Sequence, residues 1–409
     1  MTWLDLRKYY NVGLFLVIFI YLHSLRYFEY IGVNPTYYGW LSNLLVLFLI
    51  FICIISKNPR RMPAQYWMLG FLLVPMLSFL PCWLENGQSP LTSLRAYLMV
   101  GLALVYFLLH KTQMKPAHLI QILTAFAVIR IGILLLQQFT YPSYWFSLRP
   151  EGLNAQGLFR PIEVRSGIYR FCIEDPYLSM FLIFYYFQQL TKGFKPACFI
   201  LFMVGFLGLW LDQTRQFMAV GMISFLLVFL FNSRFKGKWL LLLLIPLGIA
   251  VVMAKGASFF EDLVLLTQSD LSGDNVRLLA YTTYLFEFWG GPLSIIFGNG
   301  PLGNSDYGQM ITYMYDSLNL YHSDVGMVGA VNLYGITTLC LFVAFYIFYI
   351  ARYWKSIPMF LKMYFLAVLF NAPLISLFTQ PVNCMVLFAM FLYLSDRSIV
   401  ARNPMPCPR

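Results

Sequence analysis

A series of about twelve apolar runs, most close to the length of one bilayer crossing, constrains this chain more than any other feature. A helix that spans the hydrocarbon core uses about 20 predominantly apolar residues. Runs of that kind lie near 10–25, 37–56, 64–82, 91–109, 117–139, 176–190, 196–211, 217–231, 239–253, 326–350, 358–373 and 381–394. In lipid every backbone N–H and C=O must be satisfied within the segment, so such runs fold as helices. The expectation is an all-α integral membrane protein of about twelve transmembrane helices, forming one polytopic domain over residues 1–409. Asn371, Pro373 and Pro381 interrupt the last two runs, so re-entrant helices are an alternative there. The first run continues into a spanning pattern rather than stopping at a cleavage site. Composition agrees: 60% of residues are hydrophobic and only 11% are charged, where soluble domains carry about a quarter.

Charge orients the set. The formal net charge is +11, but the basic residues sit in short clusters between apolar runs. That spacing reads as membrane topology rather than nucleic-acid binding. Numbering the gaps alternately from an inner N-terminus puts Arg7/Lys8, Lys57/Arg60/Arg61, Lys111/Lys115, Lys192/Lys195, Arg234/Lys236/Lys238, Arg352/Lys355/Lys362 and Arg397/Arg402/Arg409 inside. Those are 18 of 28 basic residues, whereas only Asp5 and Asp396 of 17 acidic residues fall inside. The positive-inside rule then places both termini in the cytoplasm.

Two outer segments exceed a turn, about 140–175 and about 255–325, the second expected to be a large helical loop. Long structured loops usually carry function. The ten outer basic residues are Arg26, Arg95, Arg130, Arg149, Arg160, Arg165, Arg170, Arg215, Lys255 and Arg277, nine of them Arg. Topology needs only charge, and Lys would serve. Arg adds a planar fork that grips phosphate or carboxylate, so the bias points to an anion. The plainer reading pairs these residues with outer acids or lipid head groups.

Three residues stand out. Arg215 follows Asp212-Gln213-Thr214 between two apolar runs, at the start of the eighth helix, where free N–H groups favour an anion; pairing with Asp212 is the alternative. Arg277 sits in the first turn of an apolar surface helix, with Asp274 as its N-cap and Gly290-Gly291-Pro292 ending the run. A cation there opposes the helix dipole unless it faces an anion. His322, in Tyr321-His322-Ser323-Asp324-Val325-Gly326, lies where the large loop returns to the membrane; its ordinary pKa suits proton transfer, and Asp324 is placed to orient it. A cap or interfacial histidine is the plainer reading. Phe297-Gly298-Asn299-Gly300-Pro301 is glycine-rich but follows no strand and lacks the P-loop Lys, so a tight loop between surface helices is expected. Cys53, Cys198, Cys340 and Cys384 lie in apolar runs, while Cys82 and Cys172 fall in expected outer loops where an oxidising compartment would let them pair. No Cys/His set has zinc spacing; Glu174-Asp175 and Glu261-Asp262 are the acidic pairs to check for a metal.

In this order the residues resemble the O-antigen polymerase/ligase superfamily of bacterial envelope glycosyltransferases. The resemblance rests on Thr214-Arg215 opening a helix, Arg277-x-x-x-Tyr281, Phe297-Gly298-x-Gly300-Pro301, and His322-Ser323-Asp324-Val325-Gly326 followed by Tyr334-Gly335-Ile336. In topology it covers the whole chain. It implies a multi-pass protein of the bacterial inner membrane with its site facing the periplasm. The donor would be an undecaprenyl-pyrophosphate-linked oligosaccharide, with membrane lipids and a chain-length regulator protein as partners and no cofactor. By resemblance Arg215 and Arg277 hold the pyrophosphate and His322 is the base. Arg165, Arg170, Glu174, Tyr281 and Asp324 contact substrate. Arginines that neutralise a leaving pyrophosphate make metal-independent glycosyl transfer feasible.

Arg170-Phe171-Cys172-Ile173-Glu174-Asp175-Pro176 is similar to an Arg-x-x-x-Glu-Pro sequence of the polymerases, with Asp175 as a departure. These features favour a polymerase that builds O-antigen or a related surface polysaccharide. A ligase transferring glycan to lipid A core is the alternative. A lipid-linked glycan transporter or flippase is the alternative of another class; such proteins place ionisable residues in mid-membrane cavities and are often built from repeats, and no repeat is evident here.

Overall fold

The computed structural model describes residues 5–27, 35–56, 62–143, 164–165, 168–169, 171, 175–212, 215–231, 276–379 and 381–402. Among these residues the chain is helical apart from one small hairpin, and six helices are long and apolar enough to cross a membrane. Three shorter apolar helices accompany them: Pro196–Asp212, Gln216–Phe231 and Met359–Asn371. The expected run at 239–253 lies outside the described residues, as do Cys172 and Asp274.

The helices, in chain order, are α1 (Tyr10–Ser24), α2 (Pro35–Ile55), α3 (Gln65–Leu84), α4 (Pro90–Lys111) and α5 (Pro116–Thr140). Then come α6 (Tyr177–Leu190), α7 (Pro196–Asp212) and α8 (Arg215–Phe231). The polar segment holds α9 (Val276–Thr282), α10 (Pro292–Phe297) and α11 (Asp306–Leu318). The last three are α12 (Gly326–Phe345, continuing to Tyr353), α13 (Met359–Asn371) and α14 (Pro381–Arg402). Between α5 and α6, β1 (Val164–Arg165) pairs antiparallel with β2 (Ile168–Tyr169), and the Gln138 amide pins Tyr169 through both backbone groups at 2.6 and 3.1 Å.

Proline sets many of the starts. Six helices open on one, at Pro35, Pro90, Pro116, Pro196, Pro292 and Pro381, because its fixed φ suits the first helical position and its missing N–H has no partner there in any case. Inside a helix proline has the opposite effect, and Pro75 lies in a 3-10 turn, Val74–Ser78, that interrupts α3. Cys82 lies beyond that turn in the helix Phe79–Leu84, buried as a free thiol; it does not occupy the outer loop expected for it. Pro381 begins a continuous 22-residue helix rather than breaking one.

Burial runs opposite to that of a soluble domain. Phe15, Trp40, Leu44, Ile54, Tyr66, Phe139 and Phe231 are all largely exposed, more apolar surface than a water-soluble monomer displays. In contrast, residues 385–393 of α14 are entirely buried. This central helix packs on α1 and α4.

At its far end Asp396 accepts from the Ala64 backbone N–H at 3.1 Å and from the Tyr349 hydroxyl at 2.7 Å, and also from the Tyr106 hydroxyl. The His110 Nε2 lies 3.2 Å from it, at ion-pair distance but without hydrogen-bond alignment. The same end is joined by Tyr10 to Lys115 and His118, Gln188 to Phe360, Tyr393 to Met114, and Arg402 to Lys355. Lys111, expected in an inner loop, is buried and donates to the Cys53 and Ser56 carbonyls at the end of α2, at 2.7 and 3.0 Å.

A second buried polar cluster ties α5, α6 and α7. Arg130, 0% exposed, grips Asp212 with both terminal nitrogens at 2.5 and 3.1 Å and reaches Ser179 Oγ at 3.3 Å. Asp175, also buried, accepts from the Tyr21 hydroxyl at 3.0 Å. Arg130 therefore leaves the set of outer arginines expected to meet an anion, because its fork is taken up inside the bundle. Breaking such a pair leaves a buried charge uncompensated. Arg130→Met is expected to destabilise the protein by about 3–5 kcal/mol, seen as a lower unfolding temperature of the detergent-solubilised protein, and Arg130→Met with Asp212→Leu to recover most of that. Equal losses in the single and double variants would contradict the pairing.

Candidate active site

The residues around His322 are brought together by a broken helix. After Tyr321 the chain makes a 3-10 turn, His322–Val325, and Gly326 redirects it into α12. The Met327 backbone N–H donates to the Ala372 carbonyl at 2.7 Å, fixing the turn to the loop after α13. Gly335 then interrupts α12 with φ +78°. A Cβ there would lie 2.2 Å from the Ile296 carbonyl oxygen, and one on Gly298 (φ +93°) would lie 2.3 Å from the Leu333 carbonyl oxygen. Only glycine permits this backbone-to-backbone approach. It lets the Asn299 and Gly300 N–H groups donate to the Asn332 and Leu333 carbonyls, each at 2.8 Å. The Phe297-Gly298-x-Gly300 step is thus a tight loop, seated against the broken helix.

His322 is 2% exposed and lies flat on the Tyr284 ring, with centroids 3.8 Å apart. Its Nε2 is 3.0 Å from Asn332 Oδ1, and its Nδ1 is 2.7 Å from the Tyr315 hydroxyl. The Asn332 amide orientation follows from its other side: Nδ2 donates to the Tyr284 and Phe288 carbonyls at 2.9 and 2.7 Å. Oδ1 then faces the imidazole, so Nε2 carries the proton and Nδ1 accepts from Tyr315 in the neutral ring; this tautomer is assigned from the hydrogen-bond network. The Tyr284 and Phe288 carbonyls lie in and just after a π-helical turn, Thr283–Glu287, which follows α9. Such turns shift backbone groups out of the α-helical pattern.

Around this core lies a shell of amides. Asn299 donates to Phe288 O at 3.0 Å and to Asn332 Oδ1 at 3.2 Å, and accepts from the Gly290 N–H at 2.9 Å. Asn86 donates to Asn299 O at 3.1 Å. Glu85 accepts from the Leu293 and Ser294 N–H groups at 3.0 Å each, capping α10. Gln88 is fully used, by Ser93, Pro301, Gly303 and Ser305. The 85–88 segment therefore clamps the glycine loop from below.

The other expected site residues fall around the loop after α13. Tyr281 donates to the Pro373 carbonyl, and α9 packs on the His322 turn. Arg277, exposed, is in the first turn of α9. Burial pushes the Tyr281 phenol above its ordinary value, and the positive charge of Arg277 pulls against it. On the other side Gln216 donates to Asn371 Oδ1 at 2.9 Å. Arg215, the preceding residue, opens α8, which packs along α13. The elements that bear Arg215, Arg277, Tyr281 and His322 thus meet at the 371–374 turn. Arg170 and Glu174 lie outside the described residues, as do the side chains of Arg165 and Arg215.

Asp324 is exposed and accepts from Ser323 Oγ at 3.5 Å. Both ring nitrogens of His322 are held by Tyr315 and Asn332, so those two side chains, and not Asp324, orient the imidazole. Tyr284, Tyr315 and Asn332 were not singled out from the sequence, Asn299 was read only as part of a tight loop, and Asn371 only as an interruption of an apolar run. A carboxamide within an apolar run, as at Asn332 and Asn371, was the available signal, since polar groups in such runs are costly unless partnered. Among the described residues no three His, Cys, Asp or Glu side chains group as metal ligands; Glu174, Glu261 and Asp262 lie outside them.

Gly335→Ala is expected to lower stability by about 2 kcal/mol or more, through left-handed strain and the clash with Ile296. Gly132→Ala, in open space within α5, is expected to raise stability by about 0.5–1 kcal/mol. Thermal unfolding of both variants checks the contrast, and a neutral Gly335→Ala would argue against the close contact. No family model, no curated protein and no solved structure matches the chain.

Proposed function

We propose that this protein is a glycan polymerase of the bacterial inner membrane. It transfers a growing chain from an undecaprenyl-pyrophosphate carrier to the next lipid-linked repeat unit on the extracytoplasmic side. The observation that carries the reading is the convergence on the 371–374 turn of the helix opened by Arg215, the helix bearing Arg277, and the buried His322 turn. Two arginine-bearing helices that meet the turn carrying the imidazole suit a diphosphate leaving group and an acceptor hydroxyl. The guanidinium groups neutralise charge as the bond from the anomeric carbon to the phosphate oxygen breaks. The imidazole system takes the acceptor proton.

The reading includes twelve membrane crossings with both termini in the cytoplasm. It is supported by the way Tyr10, Lys115, His118, Lys355 and Arg402 are joined at the end of the bundle reached by the C-terminus of α14. The positive-inside rule assigns that basic end to the cytoplasm. α12 runs from the His322 turn to that end, where Tyr349 meets Asp396, and α13 runs back from it, so the 371–374 turn and His322 lie at the opposite end.

In cells lacking the native gene, Arg215→Ala, Arg277→Ala and His322→Ala are each expected to insert normally and to lose long glycan chains. Gel profiles of the surface glycan would read this out, with acceptor core bearing only single repeat units. Wild-type chain length in all three variants would overturn the site. Loss of all glycan from the core on gene deletion would instead indicate a ligase. Repeat units stranded on the cytoplasmic leaflet would indicate a flippase.

A further inference from the structure

The geometry at His322 points to an additional residue, and the inference rests on the polymerase reading above. We propose that the Tyr315 hydroxyl is the group that meets the acceptor sugar, and that it relays the acceptor's proton to His322. The imidazole is 2% exposed. One face lies on Tyr284, Nε2 is held by Asn332, and Nδ1 is covered by the Tyr315 oxygen at 2.7 Å. With both nitrogens engaged, the path from Nδ1 outward runs through that oxygen.

Tyr315 is built to stand there. It lies on α11, whose Tyr307, Gly308, Ile311 and Met314 are buried while Tyr313 and Asp316 face outward. Tyr315 itself is half-buried, at the boundary between the two faces. Asn319 ends the helix in the left-handed region, and the Leu320 N–H returns to the Met314 carbonyl at 3.1 Å. This C-terminal turn swings the chain back so that His322 lies under Tyr315. Tyr321 stacks on the Tyr315 ring at 4.9 Å and holds its plane. Burial also pushes the phenol well above its ordinary value, so it is a neutral O–H and not a phenolate.

A phenol has one proton to donate and lone pairs to accept with. The Tyr315 proton points to Nδ1, and a lone pair remains for an incoming hydroxyl. In the transfer step the acceptor O–H proton moves to the Tyr315 oxygen as the Tyr315 proton moves to Nδ1. The acceptor oxygen bonds to the anomeric carbon, and the bond from that carbon to the phosphate oxygen breaks, its electron pair leaving with the undecaprenyl pyrophosphate. The resulting imidazolium keeps its Nε2–H on Asn332. It returns one proton through Tyr315 to water after product departs, so the phenol ends as it began.

The test uses full-length protein in lipid nanodiscs, with undecaprenyl-pyrophosphate-linked repeat unit isolated from cells that lack this gene. Tyr315→Phe removes one oxygen. It is expected to lower kcat by about 100-fold or more, the low end for acid–base catalysis, with KM within about twofold of wild type. In mixtures of light and heavy water the wild-type rate is expected to fall along a bowed curve, because two protons move together. That measurement needs no variant to fold. If Tyr315→Phe keeps kcat within about threefold, or changes KM alone, or if the wild-type curve is straight, the relay is overturned. In those cases an inactive His322→Ala leaves the polymerase reading in place. If His322→Ala and Tyr315→Phe both turn over at the wild-type rate, the site itself is wrong and the relay falls with it.

Discussion

The organisation of the site depends on one buried carboxamide. Asn332 lies inside an apolar helix, where a polar group without partners would be costly. Its side-chain oxygen and nitrogen and its backbone carbonyl are all used. Its Oδ1 faces His322, its Nδ2 binds two carbonyls at the π-helical turn, and its backbone carbonyl accepts from Asn299. A single side chain thereby fixes the imidazole tautomer, the position of Tyr284 and the register of the glycine loop. The break at Gly335 makes this possible, since it frees the Asn332 and Leu333 carbonyls from the helical pattern. Strain in one helix is thus exchanged for hydrogen bonds to a loop that arrives more than thirty residues earlier in the chain.

The two ends of the bundle use buried polarity differently. At the basic end Asp396 gathers a backbone amide, two tyrosine hydroxyls and His110, and Lys111 ends α2. Those contacts tie helix termini together. Arg130 with Asp212 does the same for α5, α6 and α7. Around His322 the buried groups are neutral amides and phenols, and the helix that bears the exposed Arg277 packs on the His322 turn.

Much of the fold was legible because its cause is local. Apolar run length marks where helices lie, as in α4 and α5, whereas Pro381 read as an interruption and in fact opens α14. Order along the chain likewise pointed to the helices bearing Arg215 and Arg277 and to the His322 turn. Side-chain partners were not legible, because they come from far along the chain. Arg130 read as an outer cation until Asp212, 82 residues on, closed over it. Asp324 read as the partner of His322 because it is two residues away, whereas the 3-10 turn presents Asn332 and Tyr315 instead. Cys82 read as loop because the sequence does not show that its helix resumes after the turn at Pro75.

The most direct test of the central claim is mass analysis of the products formed when purified protein is incubated with undecaprenyl-pyrophosphate-linked repeat unit alone. A polymerase yields lipid-linked glycans whose masses rise in whole repeat units, with one undecaprenyl pyrophosphate released for each linkage formed. Substrate recovered unchanged from folded protein would contradict the assignment.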